Sequence, residues 1–160
     1  MLDTVFEQLK IVESADLPDS MLDFFRRIPL VLEPGPVGGS PALYQDTGVY
    51  GVVRIRPVPL PKNRPIILHE LLHGYHAKVL TRENQEILRA YRKATQSREY
   101  SADFPSAHFL ENPSEFFAVT ASIFLFGTIQ QPPFNCSVLA KSQPEYIDFL
   151  ERKFGRHACK

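Results

Sequence analysis

His69-Glu70-Leu71-Leu72-His73, inside the run from Pro65 to Leu80, sets two histidines four residues apart. On a helix that spacing projects both imidazoles from one face, one turn apart, where a single metal ion can reach both. Glu70 lies about 100° round the helix from His69. A carboxylate there is placed to take a proton from a metal-bound water, which completes the donor pattern of a hydrolytic zinc site. The same five residues on a strand or loop would not converge, so the chemistry depends on helical context. Pro65 suits a first helical position after Asn63 or Arg64, and Ile66, Ile67, Leu68, Leu71, Leu72, Val79 and Leu80 follow without another proline. The run predicts a buried helix. The plainer alternative makes His69 and His73 hydrogen-bonded core histidines and Glu70 a salt-bridge partner.

With 160 residues the chain is expected to form a single domain over 1–160, large enough to bury about two thirds of its unfolded surface. Lys plus Arg and Asp plus Glu each total 18, so no overall field draws a polyanion, and neither nucleic acid nor a membrane is expected as a partner. There is no apolar run of about 18 residues. The N-terminus, Met1 to Glu7, carries acidic residues where a signal peptide would be basic and then apolar. The expectation is a soluble monomer, cytoplasmic or exported after removal of a signal. Cys136 and Cys159 show no CxxC spacing, which argues against a disulfide framework and a thiolate zinc site. They remain open as one pair outside the cytosol or two free thiols.

Leu2, Val5, Phe6 and Leu9 are spaced for a short amphipathic helix, and Pro18-Asp19-Ser20 signals a second, with Asp19 or Ser20 as its cap. Ile28 to Leu32 reads as a strand, and Glu33 to Pro41, with three prolines and three glycines, as a loop that can cover a cleft. Gly51 to Arg56 is the best strand, its Arg54 and Arg56 alternating with Val53 and Ile55 as a solvated face. It leads through Pro57 to Pro65 into the histidine helix; a strand at a sheet edge there would offer main-chain groups to an extended peptide. Thr81 is read as the cap of a helix through about Thr95, and Gln96 to Glu111 as irregular. Asn112 to Phe126, closed by Gly127, is apolar nearly all round and predicts a core helix. Ser142-Gln143-Pro144-Glu145 reads as a capping box before a terminal helix.

A catalytic zinc has three protein ligands and keeps its fourth position for water. Candidates for the third are His76, His108, Glu111, Glu115 and His157. On an unbroken helix His76 lies about 10.5 Å along the axis from His69, too far to share an ion with bonds of about 2.1 Å. Glu115 opens the core helix, where a carboxylate demands a compensating charge. It fits equally well as the capping-box partner of Asn112. On spacing alone the two roles stay open, with Glu111 next.

The two segments His69-Glu70-Leu71-Leu72-His73 and Asn112-Pro113-Ser114-Glu115-Phe116-Phe117-Ala118 together resemble the gluzincin metallopeptidases, specifically the domain of the anthrax lethal factor type. The resemblance covers roughly residues 50 to 155, including the proline-opened aromatic helix Pro144 to Phe154. It implies an α+β zincin-like fold, helices packed on a small sheet with the active-site helix at its centre. It also implies Zn2+ held by His69, His73 and Glu115, with Glu70 as general base toward a peptide or protein substrate. The family places a tyrosine seven residues before the ligand glutamate as an oxyanion donor; here that position is His108. A protonated ring nitrogen can donate the same hydrogen bond. Tyr100 is the alternative donor. The substitution also admits a zinc-binding pseudo-peptidase that docks a peptide without cutting it, and a metal-free interaction domain is the remaining rival.

Overall fold

The computed structural model describes residues 2–34, 39–97 and 107–155. The fold is α+β, with seven α-helices and one three-strand mixed sheet among the described residues. No helix among them is long and apolar enough to cross a membrane. The chain divides into two compact units, Met1–Leu80 and Thr81–Lys160.

The first unit begins with α1 (Leu2–Ser14) and α2 (Asp19–Arg26). α1 is helical as the spacing predicts, but it is turned differently. Leu2 and Phe6 are 54% and 59% exposed, while Gln8 and Val12 are buried. Pro18, not Asp19 or Ser20, occupies the N-cap position of α2. The sheet joins β1 (Leu30–Leu32), β2 (Ala42–Gln45) and β3 (Val52–Ile55) in the order β1-β3-β2, with β1 parallel and β2 antiparallel to β3. The strand at Gly51 to Arg56 is therefore central, and β1 and β2 are the edges. Ala42, Val53 and Ile55 are buried on one face, and α3 (Ile66–Tyr75) packs against β2 and β3. Arg54 points the other way, ion-paired with Glu33, as the alternation predicts. The loop read at Glu33 to Pro41 includes 35–38, which lie outside the described residues.

α3 is the predicted helix. It ends at Tyr75 and widens into a π turn, His76–Leu80, so the helix is not an unbroken α-helix to Leu80. Lys78 in that turn pairs with Asp46 at 2.6 Å and donates to the Gly48 carbonyl at 2.9 Å, which ties it to the β2–β3 connection. Gly51, with φ of +76°, ends that connection against the Tyr44 ring; a Cβ there would lie 2.2 Å from the Tyr44 hydroxyl oxygen. Gly51→Ala adds a left-handed side chain to an overpacked contact, and should destabilise the protein by about 3 kcal/mol. A fall in the urea midpoint at unchanged slope is the expected reading.

In the second unit Asn84, not Thr81, caps α4 (Gln85–Gln96), its Oδ1 accepting from the Glu86 and Ile87 amides at 3.1 and 3.2 Å. Thr81 instead turns the chain with φ of +67°. A 3-10 turn, His108–Leu110, precedes α5 (Pro113–Phe126). Asn112 caps α5 through the Ser114 and Glu115 amides, and residues Phe116 to Leu125 are all buried. α6 (Cys136–Ser142), which Asn135 caps through the Val138 amide, is not signalled by the sequence pattern. α7 (Pro144–Phe154) has no capping box: Ser142 Oγ donates to the Val138 carbonyl inside α6, and the Gln143 amide nitrogen donates to the Ala90 carbonyl of α4. Phe116 is the hub of the aromatic core, within about 6 Å of the rings of Tyr91, Phe109 and Tyr146. Burial pushes the Tyr146 hydroxyl up far above its usual range. Cys136 is buried in α6; Cys159 lies outside the described residues, as do Tyr100 and His157.

Candidate metal centre

In the first unit α3 delivers the histidine pair as the spacing requires. The Nε2 atoms of His69 and His73 lie 3.1 Å apart, and their rings, 4.7 Å between centroids, stand perpendicular at 86°. Two nitrogens on a tetrahedral zinc with bonds of about 2.0–2.1 Å are separated by roughly 3.4 Å. The pair thus already spans close to one edge of such a tetrahedron. Neither ring is deeply buried, so the edge is not sealed into the core.

Glu70 is 6% exposed, and its Oε2 accepts the Tyr44 main-chain N–H at 2.7 Å. That bond is possible because Tyr44 sits on the sheet edge, with a main-chain group turned away from β3. A buried carboxylate is costly unless it is hydrogen-bonded. The amide both offsets that cost and fixes the carboxylate on the helix that carries the imidazoles.

In the second unit His108 and Glu115 meet. His108 Nε2 lies 2.8 Å from Glu115 Oε2, and its Nδ1 lies 3.0 Å from Glu111 Oε1. The 3-10 turn and the first turn of α5 hold these groups, with the amide of Glu115 fixed by Asn112. The hydrogen bond to Glu115 chiefly, and that to Glu111, raise the His108 pKa from 6.5 to about 9 against the opposing effect of burial. The two carboxylates thus favour the charged form of the His108 ring in the metal-free protein. Its contribution to the stability of the metal-free protein is fully present below pH 6.5 and is lost as pH rises through about 9. Because the side chain is 41% exposed, that contribution is screened to about 1 kcal/mol. In His108→Ala the fall in melting temperature between pH 6.5 and 9.5 should shrink accordingly.

Of the residues singled out by sequence, the structure groups His69, Glu70 and His73 in one unit and His108, Glu111 and Glu115 in the other. His76, rejected as a ligand on helical spacing, is 1% exposed in the π turn. The Tyr44 amide is not visible in the sequence, because a main-chain donor leaves no residue-type signal.

No family model matches the chain, and no curated protein does. Among solved structures the chain is similar to the Pro-Pro endopeptidase from Paenibacillus alvei, at 21% identity and a TM-score of 0.62. The match covers 92% of this chain and 91% of that one. At this identity it establishes the fold.

Proposed function

We propose that the chain is a zinc metallopeptidase of the gluzincin kind, acting as one zincin-like domain over residues 1–160. His69, His73 and Glu115 hold the ion, and Glu70 is the general base. The observation that carries this reading is the 3.1 Å separation of the two Nε2 atoms with the amide-held Glu70 on the same helix. Two neutral imidazoles and a carboxylate are also the donor chemistry that zinc prefers when a position is kept open. Likeness to an endopeptidase along nearly the whole chain supports the assignment from a separate direction.

When bound, the ion would lower the pKa of a coordinated water to about 7 and polarise the scissile carbonyl. Glu70 takes the proton that the water gives up as its oxygen attacks the carbonyl carbon. It then passes that proton to the departing amine nitrogen as the C–N bond breaks, leaving a carboxylic acid and an amine. His108, through a ring N–H, is the proposed hydrogen-bond donor to the oxyanion, with Tyr100 as the other candidate. The first test is turnover of two substrates, an unstructured protein and a peptide containing a Pro-Pro bond, the bond named for the similar endopeptidase. Cleavage should stop with a chelator and return with one equivalent of zinc. Cleavage that survives the chelator refutes the metal mechanism.

One observation favours a second reading. Both ring nitrogens of His108 are engaged by carboxylates, a state that leaves the oxyanion without this donor. A zinc-loaded protein that binds the same peptides but never cuts them would identify a peptide-binding pseudo-peptidase.

A further inference from the structure

α1 carries two polar side chains one turn apart, Thr4 and Gln8, and both reach beyond their own helix. Thr4 Oγ1 accepts the Leu60 amide at 3.1 Å. Gln8 is fully buried. Its Nε2 donates to the carbonyls of Pro61 at 2.8 Å and Arg64 at 2.7 Å, while its Oε1 accepts the Ile67 amide at 3.2 Å. A primary amide has two N–H donors and one acceptor oxygen, so all three functions are used. A flipped amide would set its oxygen against two carbonyls. The arrangement therefore selects glutamine over glutamate or an apolar residue of the same size.

Ile67 lies in the first turn of α3, two residues before His69. Pro65 holds the N-cap position there and supplies no side-chain cap; the Ile66 amide turns back to the Arg64 carbonyl at 2.9 Å, and the Ile67 amide is left without the usual capping side chain nearby in sequence. Gln8 provides one from another helix. It also fixes the carbonyls of the chain that enters α3. A metal site tolerates misplacement of only about 0.5 Å, and supporting hydrogen bonds of this kind hold its ligands within that range.

We propose that Gln8 is a positioning residue for the metal helix, setting the axial placement of His69, Glu70 and His73 through the Ile67 amide and the Pro61 and Arg64 carbonyls. The inference rests on the zinc reading of those three side chains, and its test separates the two. Zinc affinity is measured by competition with a chromophoric chelator for wild type, Gln8→Met and Asn84→Ala. The last variant loses the cap of α4 and serves as a destabilised control. Gln8→Met should bind zinc about tenfold or more weakly, the range seen for loss of outer-shell support, while Asn84→Ala stays within about twofold of wild type. If Gln8→Met does not fold, Gln8→Glu replaces it. That variant keeps the acceptor for Ile67 but sets a carboxylate oxygen against the two carbonyls, and the same weakening is expected. A folded Gln8 variant that binds zinc within twofold of wild type overturns the proposal and leaves Gln8 a purely structural cap. Should wild type bind no zinc, the metal reading fails, and the metal-free protein still decides the placement. The imidazole NMR signals of His69 and His73 should move in Gln8→Met and not in Asn84→Ala; unmoved signals overturn the inference.

Discussion

Glu70→Gln is expected to retain one equivalent of zinc and to lose roughly 10³-fold in kcat, with little change in KM. The substitution is nearly isosteric. The side-chain oxygen of the new amide still accepts the Tyr44 N–H that holds Oε2 at 2.7 Å, so the group stays where the carboxylate was. What disappears is basicity. An amide cannot take the proton from water or return it to the leaving amine, and general acid–base steps contribute about 10²–10⁴-fold. The KM-against-kcat split matters, because a change confined to KM would assign Glu70 to substrate binding. Hydrolysis at the wild-type rate by a zinc-loaded Glu70→Gln protein would remove Glu70 from the mechanism.

His73→Ala should weaken zinc binding by roughly 1000-fold or more, beyond the 10–100-fold expected for loss of a group that only supports a ligand. The fold should survive. The buried positions of α3 are Ile66, Ile67, Leu68, Glu70, Leu71, Leu72 and Gly74, and His73 is not among them. Far-ultraviolet circular dichroism should therefore match wild type while chelator competition shows the loss. An affinity within tenfold of wild type would mean that the 3.1 Å histidine pair is only a hydrogen bond between two packed rings.

The parts of this fold that were legible in the sequence are those set by local spacing. The i, i+4 histidines, the continuous apolar run of α5 and the alternation of Val53, Arg54 and Ile55 each follow from the geometry of one element. Caps were less legible, because several side chains in a row can serve. Thr81 and Asn84 both precede α4, and only the structure shows Thr81 used for a left-handed turn and Asn84 for the amides. α6 is not legible because its seven residues carry little periodicity behind a proline-rich connection. The place of β3 at the centre of the sheet depends on pairing with strands elsewhere in the chain, which a four-residue stretch does not encode.

At the candidate site the division is similar. His69, Glu70 and His73 are one local pattern, and Glu115 was marked by its place at the head of an apolar helix. The Tyr44 amide on Glu70 and the three bonds of Gln8 were not foreseeable, because their partners are main-chain groups distant in sequence. Gln8 left one trace. It is a polar residue on the stripe of α1 that proves to be buried, where the spacing of Leu2 and Phe6 pointed to a different face.

A crystal structure of the zinc-loaded protein, with an anomalous difference map at the zinc edge, locates the ion and its ligands. One peak is expected, about 2.1 Å from the Nε2 atoms of His69 and His73 and from a carboxylate oxygen of Glu115, with a solvent oxygen in the fourth position. A peak without Glu115 in its coordination shell, or no peak beside the α3 histidines, would contradict the proposed zinc site.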